Sequence, residues 1–160
     1  MVMGLSKEAA NFSIICLDAD REWLSILSRE LKSIGMRNVQ TVTDPKMALG
    51  HLQHSDIDLV VIDHNLKFAK FLRHSKASPN REVPIIMMTT QVRPEDIFAM
   101  RDAGVNEIAV KPCSINQLLQ RIEAIASNPR RFVWSDEFAG PDRRRKEGQF
   151  SGPERRDAED

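Results

Sequence analysis

Tyrosine is absent from these 160 residues, and cysteine (2), tryptophan (2) and glycine (7) are scarce. Two cysteines cannot build a disulfide framework, and Cys16 and Cys113 have no metal-like spacing. Cys16 lies within an apolar run and reads as a small core hydrophobe. Such usage suits a reducing, cytoplasmic compartment. An excess of either charge is also missing: 23 basic residues face 23 acidic ones. No global field draws this chain to nucleic acid or anionic lipid. No apolar run approaches the ~20 residues that span a bilayer. Residues 1–13 lack the basic-then-apolar order of a signal peptide. No glycine-rich turn follows the first apolar run, which argues against a nucleotide or flavin site. His51 and His54 stand at helical spacing with no further ligand nearby, so they read as surface residues.

What is present is a set of short apolar runs, each closed by a polar residue. Ile14, Ile15, Cys16 and Leu17 precede Asp18. Leu59, Val60, Val61 and Ile62 precede Asp63. Pro84, Ile85, Ile86, Met87 and Met88 precede Thr89, and Ile108, Ala109 and Val110 precede Lys111. Runs that are apolar without alternation read as strands buried on both faces of a parallel sheet. Laid side by side, they bring all four polar groups to the carboxyl edge, where open parallel sheets bind ligands. Two acids, a hydroxyl and an ammonium in one crevice suit a divalent cation and a phosphoryl group.

Helical patterns separate the runs. Leu24, Leu27, Leu31 and Ile34 recur at three- and four-residue spacing before Gly35. Val39 to Val42 is a further short strand. Asp44 and Pro45 open a helix carrying Met47, Ala48, Leu49 and Leu52, with Asp as cap and Pro in the first turn. Phe68, Phe71 and Leu72 mark a helix over residues 67–75. Pro94 begins another that stops at Gly104. Ser114 and Gln117 form a capping-box pattern for a last helix carrying Ile115, Leu118, Leu119, Ile122 and Ile125. Five strands alternating with five helices predict a doubly wound α/β sheet with helices on both faces. The domain occupies residues 11–127, after an extension over residues 1–10.

Composition changes at Asn128. Residues 128–160 form a polar tail rich in Arg, Gly and Pro, with eight basic and eight acidic residues. Such composition predicts disorder. The tail repeats one motif. Phe138, Gly140, Pro141, Asp142, Arg143 and Arg144 match Phe150, Gly152, Pro153, Glu154, Arg155 and Arg156. One reading is a solvated tail. The other is a short linear motif presented twice, with Phe as anchor and paired Arg for an acidic partner. Phe132, Val133 and Trp134 are expected to fold back on the domain or to dock a partner.

Asp18, Asp63, Thr89 and the Lys111–Pro112 pair, with Ala103 and Gly104 between them, resemble the CheY-like receiver domain of bacterial two-component response regulators. The resemblance covers roughly residues 11–127. It implies a flavodoxin-like five-stranded sheet of order 2-1-3-4-5. It also implies a signalling role rather than an enzymatic one. Asp63 would accept a phosphoryl group from a phosphohistidine on a histidine kinase or phosphotransfer protein. Asp18, Asp63 and the backbone carbonyl of Asn65 would hold Mg²⁺. Lys111 and Thr89 would contact the phosphoryl oxygens, Thr89 as the switch. A hard cation and an ammonium offset the repulsion between a carboxylate and a phosphoryl group.

Three positions depart from the family pattern. Ala19 stands where receivers carry a second acid, and a methyl group binds no metal. Asp20, one residue on, either bends back to the site or caps the first helix. The loop after Asp63 is several residues short, which crowds His64 and Lys67 against the site. Ile108 replaces an aromatic whose rotamer reports phosphorylation in many receivers. The functional expectation is a single-domain phosphorelay protein that signals by binding a downstream protein target. The alternative is a pseudo-receiver acting as a phosphorylation-independent adaptor. A third option reads Asp18 and Asp20 as the acid pair of a haloacid-dehalogenase phosphohydrolase. A homodimer is left open. Direct DNA binding and membrane attachment are not expected, since the tail is too short and polar for a helix-turn-helix bundle.

Overall fold

The apolar runs form the strands of one parallel sheet. The computed structural model of the chain describes residues 4–144. Its strands are β1 (Ser13–Leu17), β2 (Asn38–Val42), β3 (Leu59–Ile62), β4 (Ile85–Thr89) and β5 (Glu107–Val110), in the order β2-β1-β3-β4-β5. All neighbours are parallel. The crossover helices are α2 (Arg21–Ser33), α3 (Pro45–His54), α4 (Leu66–His74), α5 (Pro94–Asp102) and α6 (Ile115–Ser127). Their caps are the residues that sequence chemistry favours. Asp20, Asp44, Asn65 and Ser114 each accept a backbone N–H of the first turn, and Ser114 and Gln117 complete a capping box.

Alternate strand residues feed two cores. Ile15, Leu17, Val60, Ile62, Ile85 and Met87 pack with Ala48, Leu52, Phe68, Leu72 and Met100 of α3, α4 and α5. Ile14, Cys16, Leu59, Val61, Ile86 and Met88 pack with Leu24, Leu27, Leu31, Leu118 and Ile122 of α2 and α6. A strand sandwiched this way has no solvent face, so its sequence shows no polar alternation. Cys16 is among the fully buried residues, and burial pushes its thiol pKa up to about 12. It serves as core, as its neighbours suggested.

Two features were not anticipated. Residues 7–10 of the N-terminal extension form a single helical turn, α1 (Lys7–Ala10). It is capped by Ser6 and tied to α6 where the Ser6 backbone N–H donates to Glu123 Oε1 at 2.7 Å. The second concerns the start of the polar tail. Instead of a disordered segment, residues 128–144 carry an antiparallel hairpin of β6 (Phe132–Trp134) and β7 (Ala139–Pro141). The expectation that Phe132 and Trp134 fold back holds. Arg73 of α4 lies 5.1 Å from the Phe132 ring centre, Arg81 lies 4.2 Å from that of Trp134, and Trp134 Nε1 donates to Glu82 at 3.2 Å.

Arg73 is the joint between hairpin and sheet. It is fully buried with no carboxylate in hydrogen-bonding contact. Its guanidinium donates to the carbonyls of Gly104, Arg81 and Val83 and to Asn106 Oδ1, at 2.7–3.0 Å. Burial pushes its pKa down to about 10, which still leaves it charged at neutral pH. Carbonyl dipoles and an aromatic face hold the charge directly, with Glu82 favouring it from beyond hydrogen-bonding distance.

Candidate functional site

Register decides where the polar residues fall. Leu17 pairs with Ile62, Ile62 with Met87, and Thr89 with Val110. Asp18 and Asp63 therefore leave neighbouring strands at the same level. Thr89 ends β4, and Lys111 follows β5 beside it. The backbone ladder continues one step past the strands: Asp18 N–H donates to Val42 O, Asp63 N–H to Leu17 O and Lys111 N–H to Thr89 O, at 2.8–3.2 Å.

Lys111 Nζ donates to Asp18 Oδ2 at 2.9 Å. The same ammonium lies 5.2 Å from the centre of the Trp23 ring on α2. Asp63 is half-buried beside them. Desolvation, and then repulsion from Asp18, hold its pKa above the ordinary carboxylate value, against the attraction of Lys111. Lys111 thus pairs with Asp18 and reaches Asp63 only by longer-range attraction, leaving two carboxylates near one ammonium. That imbalance fits a hard cation, which two carboxylate oxygens and water can hold. Among the described residues, no cluster of three or more Asp, Glu, His or Cys stands at ligand spacing. The protein's charged contribution is therefore the pair Asp18 and Asp63.

The other expected ligands have local employment. Ala19 carries no oxygen. Asp20 Oδ1 accepts the Trp23 N–H at 3.0 Å, the capping role open to it from sequence. The Asn65 carbonyl accepts the Ala69 N–H in the first turn of α4 at 3.2 Å, so one of its lone pairs is engaged. The loop after Asp63 is short: only His64 and Asn65 separate it from α4. His64 does crowd the site, as expected, and finds there a partner the sequence did not name. His64 Nδ1 and Thr89 Oγ1 share a hydrogen bond of 2.8 Å, and Thr89 Oγ1 also accepts the Gln91 N–H at 2.9 Å. Thr89, nearly inaccessible to solvent, is held by these groups. Ile108 sits in β5, half-buried against the α3–α5 core.

Trp23 was also missed. Read alone, it is one residue of an amphipathic helix; only the crossing of α2 over the sheet edge places its ring against Lys111. The tail-motif residues lie elsewhere. Phe138, Arg143 and Arg144 belong to the hairpin, which packs near Gly104 and Asp102, between α5 and β5. That is the amino edge of the sheet, remote from Asp63. Phe150, Arg155 and Arg156 lie outside the described residues.

Comparison with known proteins agrees with this geometry. The family model described as the response regulator receiver domain matches residues 14–123. Chemotaxis protein CheY-3 of Vibrio cholerae is 29% identical over 119 residues, covering 72% of this chain and 92% of that protein. Chemotaxis protein CheY of Pseudomonas aeruginosa is 28% identical over 116 residues, covering 70% and 94%. The crystal structure of chemotaxis protein CheY4 of Vibrio cholerae superposes with a TM-score of 0.64 at 25% identity, covering 72% of this chain and 98% of that one. The hairpin lies beyond the segment that the family model matches. With sheet order, edge residues and sequence match in agreement, this chain belongs to the response regulator receiver family of two-component signalling.

Proposed function

We propose that Asp63 accepts a phosphoryl group from a phosphohistidine on a histidine kinase or phosphotransfer protein, and that the product signals through a protein target. In the transfer, an Asp63 carboxylate oxygen bonds to phosphorus. The P–N bond to the donor histidine breaks, and the imidazole nitrogen regains a proton. The observation that carries this reading is the pairing of Asp18 and Asp63 beside one ammonium, with the Thr89 hydroxyl one hydrogen bond from His64. Lys111 would leave Asp18 for the incoming phosphoryl oxygens. Asp18 and Asp63 would hold Mg²⁺, which when bound neutralises charge between the attacking carboxylate and the phosphoryl group. Thr89 would exchange His64 for a phosphoryl oxygen and move inward. Ile108, with no ring to swing, would route that movement differently from an aromatic.

A second reading is an adaptor that binds its target without phosphorylation. It is favoured by Ala19 and by the capture of the Asn65 carbonyl within α4. The hydrolase reading is the weakest, because its general acid would be Asp20, which caps α2. Incubation with acetyl phosphate, with and without Mg²⁺, separates these readings by intact mass. A gain of one phosphoryl group that is lost in Asp63→Asn supports the phosphoacceptor. No gain under either condition favours the adaptor. Slow turnover of free phosphate esters that stops in Asp18→Asn but persists in Asp63→Asn would point to hydrolysis instead. No helix among the described residues is long and apolar enough to cross a membrane.

A further inference from the structure

The hairpin shows what the first copy of the repeated motif is for. Phe138 is stacked by the Arg143 guanidinium at 4.2 Å, and Arg143 reaches Asp102 of α5 at 2.7 Å. Ala139 and Gly140 are buried against Gly104. A Cβ on Gly140 would lie 2.7 Å from the Gly104 Cα, closer than atoms approach, so this position admits glycine alone. Pro141, also buried, pairs with Phe132 and needs no N–H of its own for the packing. The Asp142 carboxylate accepts the Arg144 N–H at 3.0 Å and holds the turn beyond.

The second copy preserves the features this seat requires. Phe150, Gly152, Pro153, Arg155 and Arg156 repeat the first copy, and Glu154 replaces Asp142 with one more methylene. The only other change is Ser151 for Ala139. It keeps glycine, Gly152, at the position where a side chain on the first copy would strike Gly104.

We propose that the surface formed by Gly104, Asp102 and Arg73 is a docking seat for this motif, and that residues 150–156 are its second occupant, exchanging with residues 138–144 within one chain. The spacing sets the balance between them. Three residues, 135–137, join β6 to the first copy, whereas fifteen, 135–149, would join β6 to the second. Loop-closure entropy grows slowly with length, so this fivefold difference favours the first copy by only about tenfold. Whichever copy is unseated offers a partner a phenylalanine and two arginines without stripping the seat.

Urea unfolding of four full-length chains tests this: the parent, Gly140→Val, Gly152→Val and the double variant. Gly152→Val alone should leave the midpoint unchanged. Gly140→Val should lower the folding equilibrium constant by about tenfold, because the second copy takes over. The double variant should fall well below that. Equal stability of Gly140→Val and the double variant would overturn the proposal. Arg143→Ser and Arg155→Ser, singly and together, repeat the comparison at an exposed ion pair where folding is not at risk. A ¹⁹F label on Trp134 gives a direct reading. Its resonance should move to a new position in Gly140→Val and leave that position in the double variant. If the new resonance grows with protein concentration, the exchange is between two chains and the intramolecular proposal fails.

Discussion

His64→Leu should make the candidate site more responsive, and the size of the effect follows from one bond. The Thr89 hydroxyl is shared with His64 Nδ1 at 2.8 Å. Turning toward a phosphoryl oxygen means giving up that bond. A neutral hydrogen bond contributes about 0.5–1.5 kcal/mol net. Removing the competitor should tighten apparent affinity for beryllium fluoride, a phosphoryl mimic, by about 2- to 12-fold. An opposing effect exists, since His64 also favours the charged form of Asp63, but it ranks last among the charges acting there. Trp23 fluorescence provides the assay, because its ring faces Lys111 at 5.2 Å and should sense the ammonium moving from Asp18 to the ligand. Trp134→Phe in all samples leaves Trp23 as the only emitter. The control is Thr89→Ala, where His64→Leu should change nothing. Unchanged or weaker binding in His64→Leu, or an equal gain in the Thr89→Ala background, would refute the reasoning.

Three further outcomes are expected. Asp63→Asn should stabilise the fold at neutral pH. Burial and Asp18 raise the Asp63 pKa, so the native state binds more protons than the unfolded chain and loses stability as pH rises from the ordinary carboxylate value through the raised one. Urea midpoints at pH 7 and about pH 3 should show the gain at the first and none at the second; a gain of equal size at both would mean that the charge is not its source. Arg73→Met, which keeps bulk but leaves three carbonyls without their donor, should lose about 3–5 kcal/mol in urea unfolding. A loss below about 1 kcal/mol would show that water replaces the guanidinium. Gly104→Ala should lose about 2–4 kcal/mol, combining a positive φ of 85° with a Cβ placed 2.8 Å from Arg73 Cγ and overlapping the Ala139 carbonyl. Gly35→Ala, at φ 104° but with its nearest neighbour at 3.7 Å, should lose only the backbone strain, about 1–2 kcal/mol; equal losses at the two sites would count against hairpin contact at Gly104.

Much of the core domain could be read from the chain because its signals are local. A buried parallel strand must be apolar throughout, and a crossover helix needs a cap and an apolar stripe. Asp44, Ser114 and the runs ending at Asp18 and Asp63 met those needs within a few residues. The hairpin could not be read in this way. Its apolar surface is small and sits among Gly, Pro and Arg, the composition of a disordered tail. It is ordered because Gly104 leaves a gap that fits the Ala139 carbonyl and Gly140, and because Arg73 presents a cation beneath Phe132. Arg73 itself looks like an ordinary basic residue in the last turn of a helix. Nothing nearby in sequence marks it as fully buried.

Within the candidate site the division is similar. The residue types at the strand ends follow from the linear order, since a strand's carboxyl end is where its polar terminator emerges. Which partner each one takes is a matter of distances across the sheet edge. Lys111 meets Asp18 and Trp23 across separations of 93 and 88 residues, and His64 meets Thr89 across 25. Linear order alone therefore determined the α/β scaffold and the polar groups at its strand ends, through periodicity and capping that act over one or two turns. The pairing of those groups, and the seat that holds the hairpin, were decided only when distant segments packed, because shape complementarity and charge contact exist between surfaces and not along a chain.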